Sequence, residues 1–208
     1  MFILAEIALQ RVLQTGIKNL KQNPDVIDDI FATYCQDELD SDFGSDYIAK
    51  IRNWFTETKV PVLLAWSLNP ERIPCVSIHL SSDIEDEGKA ALDDFFGDDE
   101  DGELKTGVFT TQIDVGIHAN RATDEVLWLY YIVSYVLFKE RRLAEKLGLK
   151  LHTYSASDYS RDASKMPDQV WSRYIRLRCT VENFWQDGEA ITPDLELEVE
   201  LDRKIQSS

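Results

Sequence analysis

The chain has 208 residues, 44% of them apolar, and carries 38 acidic against 22 basic side chains for a net charge of −16. That length suits one domain, or one domain with an embellishment, which buries about 70% of its unfolded surface and folds without a disulfide or a metal. The charge argues against direct binding to phosphate backbones, which takes lysine and arginine contacts.

Ile3, Ile7, Val12, Leu13, Ile17 and Leu20 recur near helical spacing and predict an amphipathic helix over residues 3–22. Asn23-Pro24 ends it, and Asp25 starts a further turn. Ile27, Ile30, Phe31 and Tyr34 give a second apolar stripe; Tyr47, Ile48, Ile51, Trp54 and Phe55 give a third. These aromatics are read as core. The amino terminus is apolar but lacks a basic leader region and is interrupted by Glu6, which argues against a signal peptide.

Val60–Trp66 is rich in strand formers, with Pro61 at a strand start or edge. Ile73–Leu80 alternates, and with the Asn69-Pro70 turn it predicts the returning strand of a hairpin. Residues 81–106 hold eleven acidic residues against Lys89 and Lys105, a net of −9. The acids include Asp83, Glu85, Asp86, Glu87, Asp93, Asp94, Asp98, Asp99, Glu100 and Asp101. Like charges at this density predict an extended or mobile loop inserted between two strands.

Gly107–Ala119 predicts a long strand, and Thr123–Leu147 a long helix. The helix centre, Val126–Phe138, is 13 apolar-rich residues closed off by charges at both ends. A membrane span needs about 20, so this is a buried core helix. A strand at Leu149–Ser157, a loop at Asp158–Asp168 and a strand at Val170–Trp185 follow. Near the carboxyl end, Leu195, Leu197, Val199 and Leu201 alternate with Asp194, Glu196, Glu198, Glu200 and Asp202. This predicts a strand over about 194–202, half-buried at a sheet margin or added to a neighbouring subunit. The class is α+β: a mixed, mainly antiparallel sheet with a long helix across one face and helices at the amino terminus, all in one domain.

The residues offer little chemistry. Cys35, Cys75 and Cys179 are far apart and read as buried free thiols, with no zinc spacing. His79, His118 and His152 lie in predicted strands and form a metal set only if they converge with a carboxylate such as Asp114. Gly97–Gly102 superficially suggests a calcium loop, but aligning Gly102 with the turn glycine puts Gly97 and Val108 at ligand positions they cannot fill. Glu103-Leu104-Lys105 has the Glu-x-Lys spacing of many metal-dependent nucleases, a tripeptide common by chance. Neither a phosphate loop nor a serine-hydrolase elbow is present. Arg141, Arg142 and Lys146 complement the long helix's dipole or receive an acidic loop from a second subunit. Arg173, Arg176 and Arg178 offer the same interface role on the last strand. The expectation is a protein without enzymatic activity, metal or cofactor.

The order of the Thr111–Ala119 strand, the Thr123–Leu147 helix, the Leu149–Ser157 segment, the Asp158–Asp168 loop and the Tyr174–Trp185 strand resembles the tail terminator and neck proteins of tailed bacteriophages. The amino-terminal helix and the Val60–Leu80 hairpin fit the same plan. The likeness covers most of the chain and is one of order and character, without a sharp motif. It implies a virion subunit, assembled in the host cytoplasm, that forms a ring of commonly six copies. The ring ends growth of the tail tube and joins it to the head. Its implied partners are further copies of itself, the tail tube protein and the head–tail connector. DNA would pass through the ring unread, repelled by the acidic loop. The long acidic insertion and the acidic carboxyl-terminal segment are not part of the family's minimal form. Two other functions fit the charge or the tripeptide: an acidic mimic of DNA that inhibits a host nucleic-acid-binding enzyme, and a metal-dependent nuclease centred on Glu103 and Lys105.

Overall fold

A computed structural model describes residues 4–32, 46–64, 73–85, 94–99, 102–120, 122–158 and 170–187. Among these residues five helices (α1 Ala5–Gln22, α2 over 25–32, α3 Tyr47–Glu57, α4 Thr123–Lys139, α5 Arg141–Lys146) accompany six strands. The strands are β1 Val62–Leu64, β2 Cys75–Glu85, β3 Asp94–Asp99, β4 Gly102–Ala119, β5 Leu149–Asp158 and β6 Trp171–Asp187. The sheet runs β1-β2-β4-β6-β5, and β3 adds to β4 beside the β2 position. Only β1–β2 is parallel; the other pairs are antiparallel. The fold is α+β, as the sequence predicts.

Alternation along the strands builds two unlike faces. Val76 and Ile78 of β2, Ile113, Val115 and Ile117 of β4, and Ile175, Leu177, Cys179 and Val181 of β6 join one apolar cluster with the helices. α1 presents Leu9, Val12, Leu13, Ile17 and Leu20 at i, i+3/i+4 spacing to that cluster. α4 is apolar on most of its circumference because it lies between the sheet and the other helices, with Leu129, Ile132 and Val133 fully buried. Its acidic first turn, Asp124 and Glu125, suits the helix's positive end. Glu125 is nonetheless buried and accepts a hydrogen bond from Trp54 Nε1 at 2.9 Å. Trp128 Nε1 donates to Tyr47 Oη at 2.8 Å, and the rings of Tyr47 and Trp54 both meet Trp128 edge-on. This aromatic knot fixes α3 over the start of α4.

Three sequence expectations need correction. The Val60–Leu80 segment is not a hairpin: Val62, Leu63 and Leu64 pair parallel with Val76, Ser77 and Ile78. Alternation fixes which face a side chain takes and says nothing about strand direction. The helix expected over Thr123–Leu147 is two helices, with Glu140 as the turn between them. Leu143, Ala144 and Leu147 beyond the turn still pack on the core, Ala144 fully buried. The acidic segment 81–106 is not simply a loop. β2 continues to Glu85, β3 holds Asp94–Asp99, and β4 begins at Gly102. Backbone pairing to β4 outweighs charge repulsion there. The expected strand over 194–202, the Asp158–Asp168 loop beyond Asp158, and Cys35 lie outside the described residues. Among the described residues no helix is long and apolar enough to cross a membrane.

Candidate functional site

The face of the sheet opposite the apolar cluster is polar and, in its centre, buried. Cys75, Ser77 and His79 of β2 stand opposite His118, Gly116 and Asp114 of β4. His118, Gly116 and Asp114 stand in turn opposite Ser172, Tyr174 and Arg176 of β6. Ser77 and His118 have no exposed surface, and His79 is 3% exposed.

These side chains form one hydrogen-bonded chain across three strands. His79 Nε2 lies 2.8 Å from Ser77 Oγ, which lies 2.8 Å from His118 Nε2. His118 Nδ1 lies 2.8 Å from Ser172 Oγ. A neutral imidazole has one donor and one acceptor nitrogen, so the chain has a direction. With Ser77 donating to His118 Nε2, His118 Nδ1–H donates to Ser172 and His79 Nε2–H donates to Ser77. Beside it, Arg176 Nε and Nη2 donate to the two Asp114 oxygens at 2.8 and 3.1 Å, and Ser81 Oγ donates to Asp114 Oδ2 at 2.6 Å. Those bonds hold the Asp114 carboxyl below its ordinary value against the opposing effect of burial.

A serine hydroxyl between imidazoles has the parts of an activated nucleophile. Here the hydroxyl is closed to any substrate. What the chain does is tie β2, β4 and β6 into one register, because a slip by one residue would turn every member to the apolar face.

Burial pushes His118 down to about 3, helped by the neighbouring His79, and burial also lowers His79. His118 therefore stays neutral in the fold, His79 binds a proton less readily there than when unfolded, and both take one up in the unfolded chain near pH 6.5. The unfolded state takes up more protons as pH falls, so their contribution is complete above pH 6.5 and declines below it toward the folded value of His118. Stability should fall between pH 6.5 and 5 with a slope approaching ~1.4 kcal/mol per pH unit from His118, and His79 adds in the same direction. Urea midpoints across that range check this. A flat profile, or the same slope in His118→Gln, would remove the buried-histidine account.

The residues weighed from sequence are dispersed. His79 and His118 come together beside Asp114, but His152 lies apart on β5, bonded to Thr180 Oγ1 at 2.6 Å, so the three histidines do not converge. Among the residues with described side chains, no group of three or more His, Cys, Asp or Glu is placed to hold a metal ion. Cys75 and Cys179 are buried thiols, Cys179 Sγ donating to the Thr111 carbonyl at 3.3 Å, and burial raises Cys75 to about 11.

The basic residues are partly engaged within the chain. Arg176 binds Asp114, and Arg173 lies 4.7 Å over the Tyr130 ring. Arg141 donates to the Leu151 carbonyl and pairs with Glu145 at 3.5 Å. Arg142, Lys146 and Arg178 are exposed.

Of the acidic candidates, Asp83 and Glu85 lie on β2 and Asp94, Asp98 and Asp99 on β3. Asp86, Glu87, Asp93, Glu100 and Asp101 lie outside the described residues. Register brings Asp98, Glu103 and Asp187 to directly opposed positions on β3, β4 and β6, a neighbourhood no sequence spacing could show.

The sequence missed one feature altogether. Leu127, Tyr131 and Phe138 lie on one side of α4 and are exposed, Tyr131 by 52% and Phe138 by 67%. The signal available was the unbroken apolar run, longer than one buried face requires. No protein-family model matches this chain, and no curated protein is significantly similar to it.

Proposed function

We propose that the protein is a structural subunit of a tailed-phage neck, forming a ring at the head-proximal end of the tail tube that ends tube growth and joins tail to head. The observation that carries this reading is the exposed stripe of Leu127, Tyr131 and Phe138 on α4. Positions i, i+4 and i+11 share one side of a helix, and such patches on soluble proteins are covered by other proteins. Copies of itself, the tail tube protein and the head–tail connector are the proposed partners, with the virion as its place. The strand–helix–strand body supports the reading, since it supplies a rigid frame and two sheet margins.

Under this reading the acidic end of the sheet faces the DNA channel. β4 and β6 continue pairing for six positions past Phe109↔Val181, from Val108↔Glu182 to Glu103↔Asp187. Negative charge carried by such a ribbon would repel the phosphate backbone and keep DNA sliding.

The test is immunogold labelling of particles from an infected-cell lysate. Gold at the head–tail junction is the expected result. Unlabelled particles, intact and partly disassembled, with the protein confined to the soluble fraction, would sink the assignment in favour of an inhibitor of a basic host enzyme.

The opposed Asp98, Glu103 and Asp187, with Lys105 two residues along β4, favour a second reading as a metal-dependent nuclease. It requires Mg²⁺- or Mn²⁺-dependent cleavage that disappears in Glu103→Gln; no cleavage of DNA or RNA with either metal would end it.

A further inference from the structure

We propose that the outer margin of β5 receives the carboxyl-terminal segment Asp194–Asp202 of a second copy of this chain, which adds to the sheet as its next strand. This is a contact between copies, and it stands whether or not they assemble in a phage neck.

The strand order ends at β5, which has only β6 beside it among the described residues. Thr153, Ser155, Ala156 and Ser157 are exposed and point alternately to the two faces, while Tyr154 between them is half-buried under α4. Natural sheet edges are guarded by lysine, proline or inward charges. From Thr153 to Ser157 this one carries none, and past the irregularity at Leu151–Thr153 its side chains are small apart from Tyr154.

The two faces of the margin match the two faces of the segment. On the polar face lie exposed Lys150 and, opposite Thr153 in register, exposed Arg178. On the helix face lie half-buried Leu147 and Tyr154, with exposed Phe138 packed 5.6 Å from Tyr154. The segment alternates Asp194, Glu196, Glu198, Glu200 and Asp202 with Leu195, Leu197, Val199 and Leu201. Added to β5, it would set its carboxylates beside Lys150 and Arg178 and its apolar side chains beside Leu147, Tyr154 and Phe138. In a chain of net charge −16, an acidic segment finds few such places.

Reach favours a second copy over the chain's own margin. β6 ends at Asp187, six pairs beyond Val181, and Val181 faces Leu149 at the start of β5. At ~3.3 Å per residue that is about 20 Å along the sheet. From Asp187 to Asp194 is seven residue steps, which span at most about 25 Å when fully extended, little more than this distance plus the sideways step across β5. The chain's own segment would need that connection drawn tight, and would then run parallel to β5. A segment from another copy has no tether and is able to pair antiparallel, the stronger geometry.

Sedimentation velocity on the full-length chain and two double variants tests this. Leu197→Ser/Val199→Ser removes the apolar face of the donated segment, and Ser155→Asp/Ser157→Asp sets like charge on the receiving margin at exposed positions. Wild type should associate with rising concentration, less so at high salt. Each variant alone should dissociate at least about tenfold more readily. Mixed together, the two should form a one-to-one complex, because each retains the half the other lacks. Circular dichroism spectra matching wild type show that the variants remain folded. A monomeric wild type at every concentration, variants that associate like wild type, or a mixture no tighter than its parts would each overturn the proposal. A wild-type monomer whose residues 194–202 are protected from hydrogen exchange at every concentration would overturn it by showing that the segment pairs within its own chain.

Discussion

Gly116→Ala is expected to destabilise the fold by about 2–5 kcal/mol, the sum of an overpacked site and a broken buried hydrogen bond. A Cβ at position 116 would sit 2.5 Å from Ser77 Oγ and 2.6 Å from His118 Nε2. Those are the two atoms that bond each other at 2.8 Å. The bond exists because the residue between them, opposite Ser77 and two before His118 on the same face, has no side chain. Adding one methyl forces the serine and the imidazole apart, and both are buried where no water replaces the lost partner. Urea unfolding at pH 7 measures the loss. The variant should also show a shallower dependence on pH between 6.5 and 5, since a loosened His118 takes up a proton more readily in the folded state. A variant as stable as wild type, with the same pH profile, would mean that the polar chain is not what holds β2 against β4.

Gly16→Ala is the second large effect, at about 1–3 kcal/mol of destabilisation. On an isolated helix the same change would stabilise by about 1 kcal/mol, because alanine is the better helix former. The sign reverses because α1 crosses α4 here at close range. A Cβ on residue 16 would lie 2.2 Å from Val136 Cγ1, on a β-branched side chain that is stiff at χ1 and fully packed. The decisive comparison is a double-mutant cycle with Val136→Ala. In that background Gly16→Ala should become neutral or stabilising, since the methyls it strikes are gone. An equal penalty in both backgrounds would move the cause from the helix crossing to the helix itself.

Much of the fold was legible in local pattern. Period-two alternation marked β2, and helical spacing marked α1 and α3, because burial on one face writes its period into the chain. The length and charge flanks of Val126–Phe138 were enough to make it a core helix. The direction of β1 was not legible, since a three-residue strand presents the same alternation in either direction. The break at Glu140 was not legible either: Glu, Arg and Arg are good helix formers, and Leu143, Ala144 and Leu147 continue the apolar spacing past it. The acidic stretch looked too charged for regular structure, yet β3 and β4 pair through it.

The candidate site divides along the same line. Composition and motif alone determined that the chain is acidic and has no recognisable phosphate loop or hydrolase elbow, and that His79, His118 and Asp114 lie on strands. Only the tertiary structure decided that Ser77, His79, His118 and Ser172 form one buried chain, that Asp114 belongs to Arg176, and that His152 stands apart. It alone set Leu127, Tyr131 and Phe138 in the open on an otherwise buried helix. The physical reason is that a sequence records which way a side chain faces along its own element, whereas a site is made by register and crossing between elements far apart in the chain.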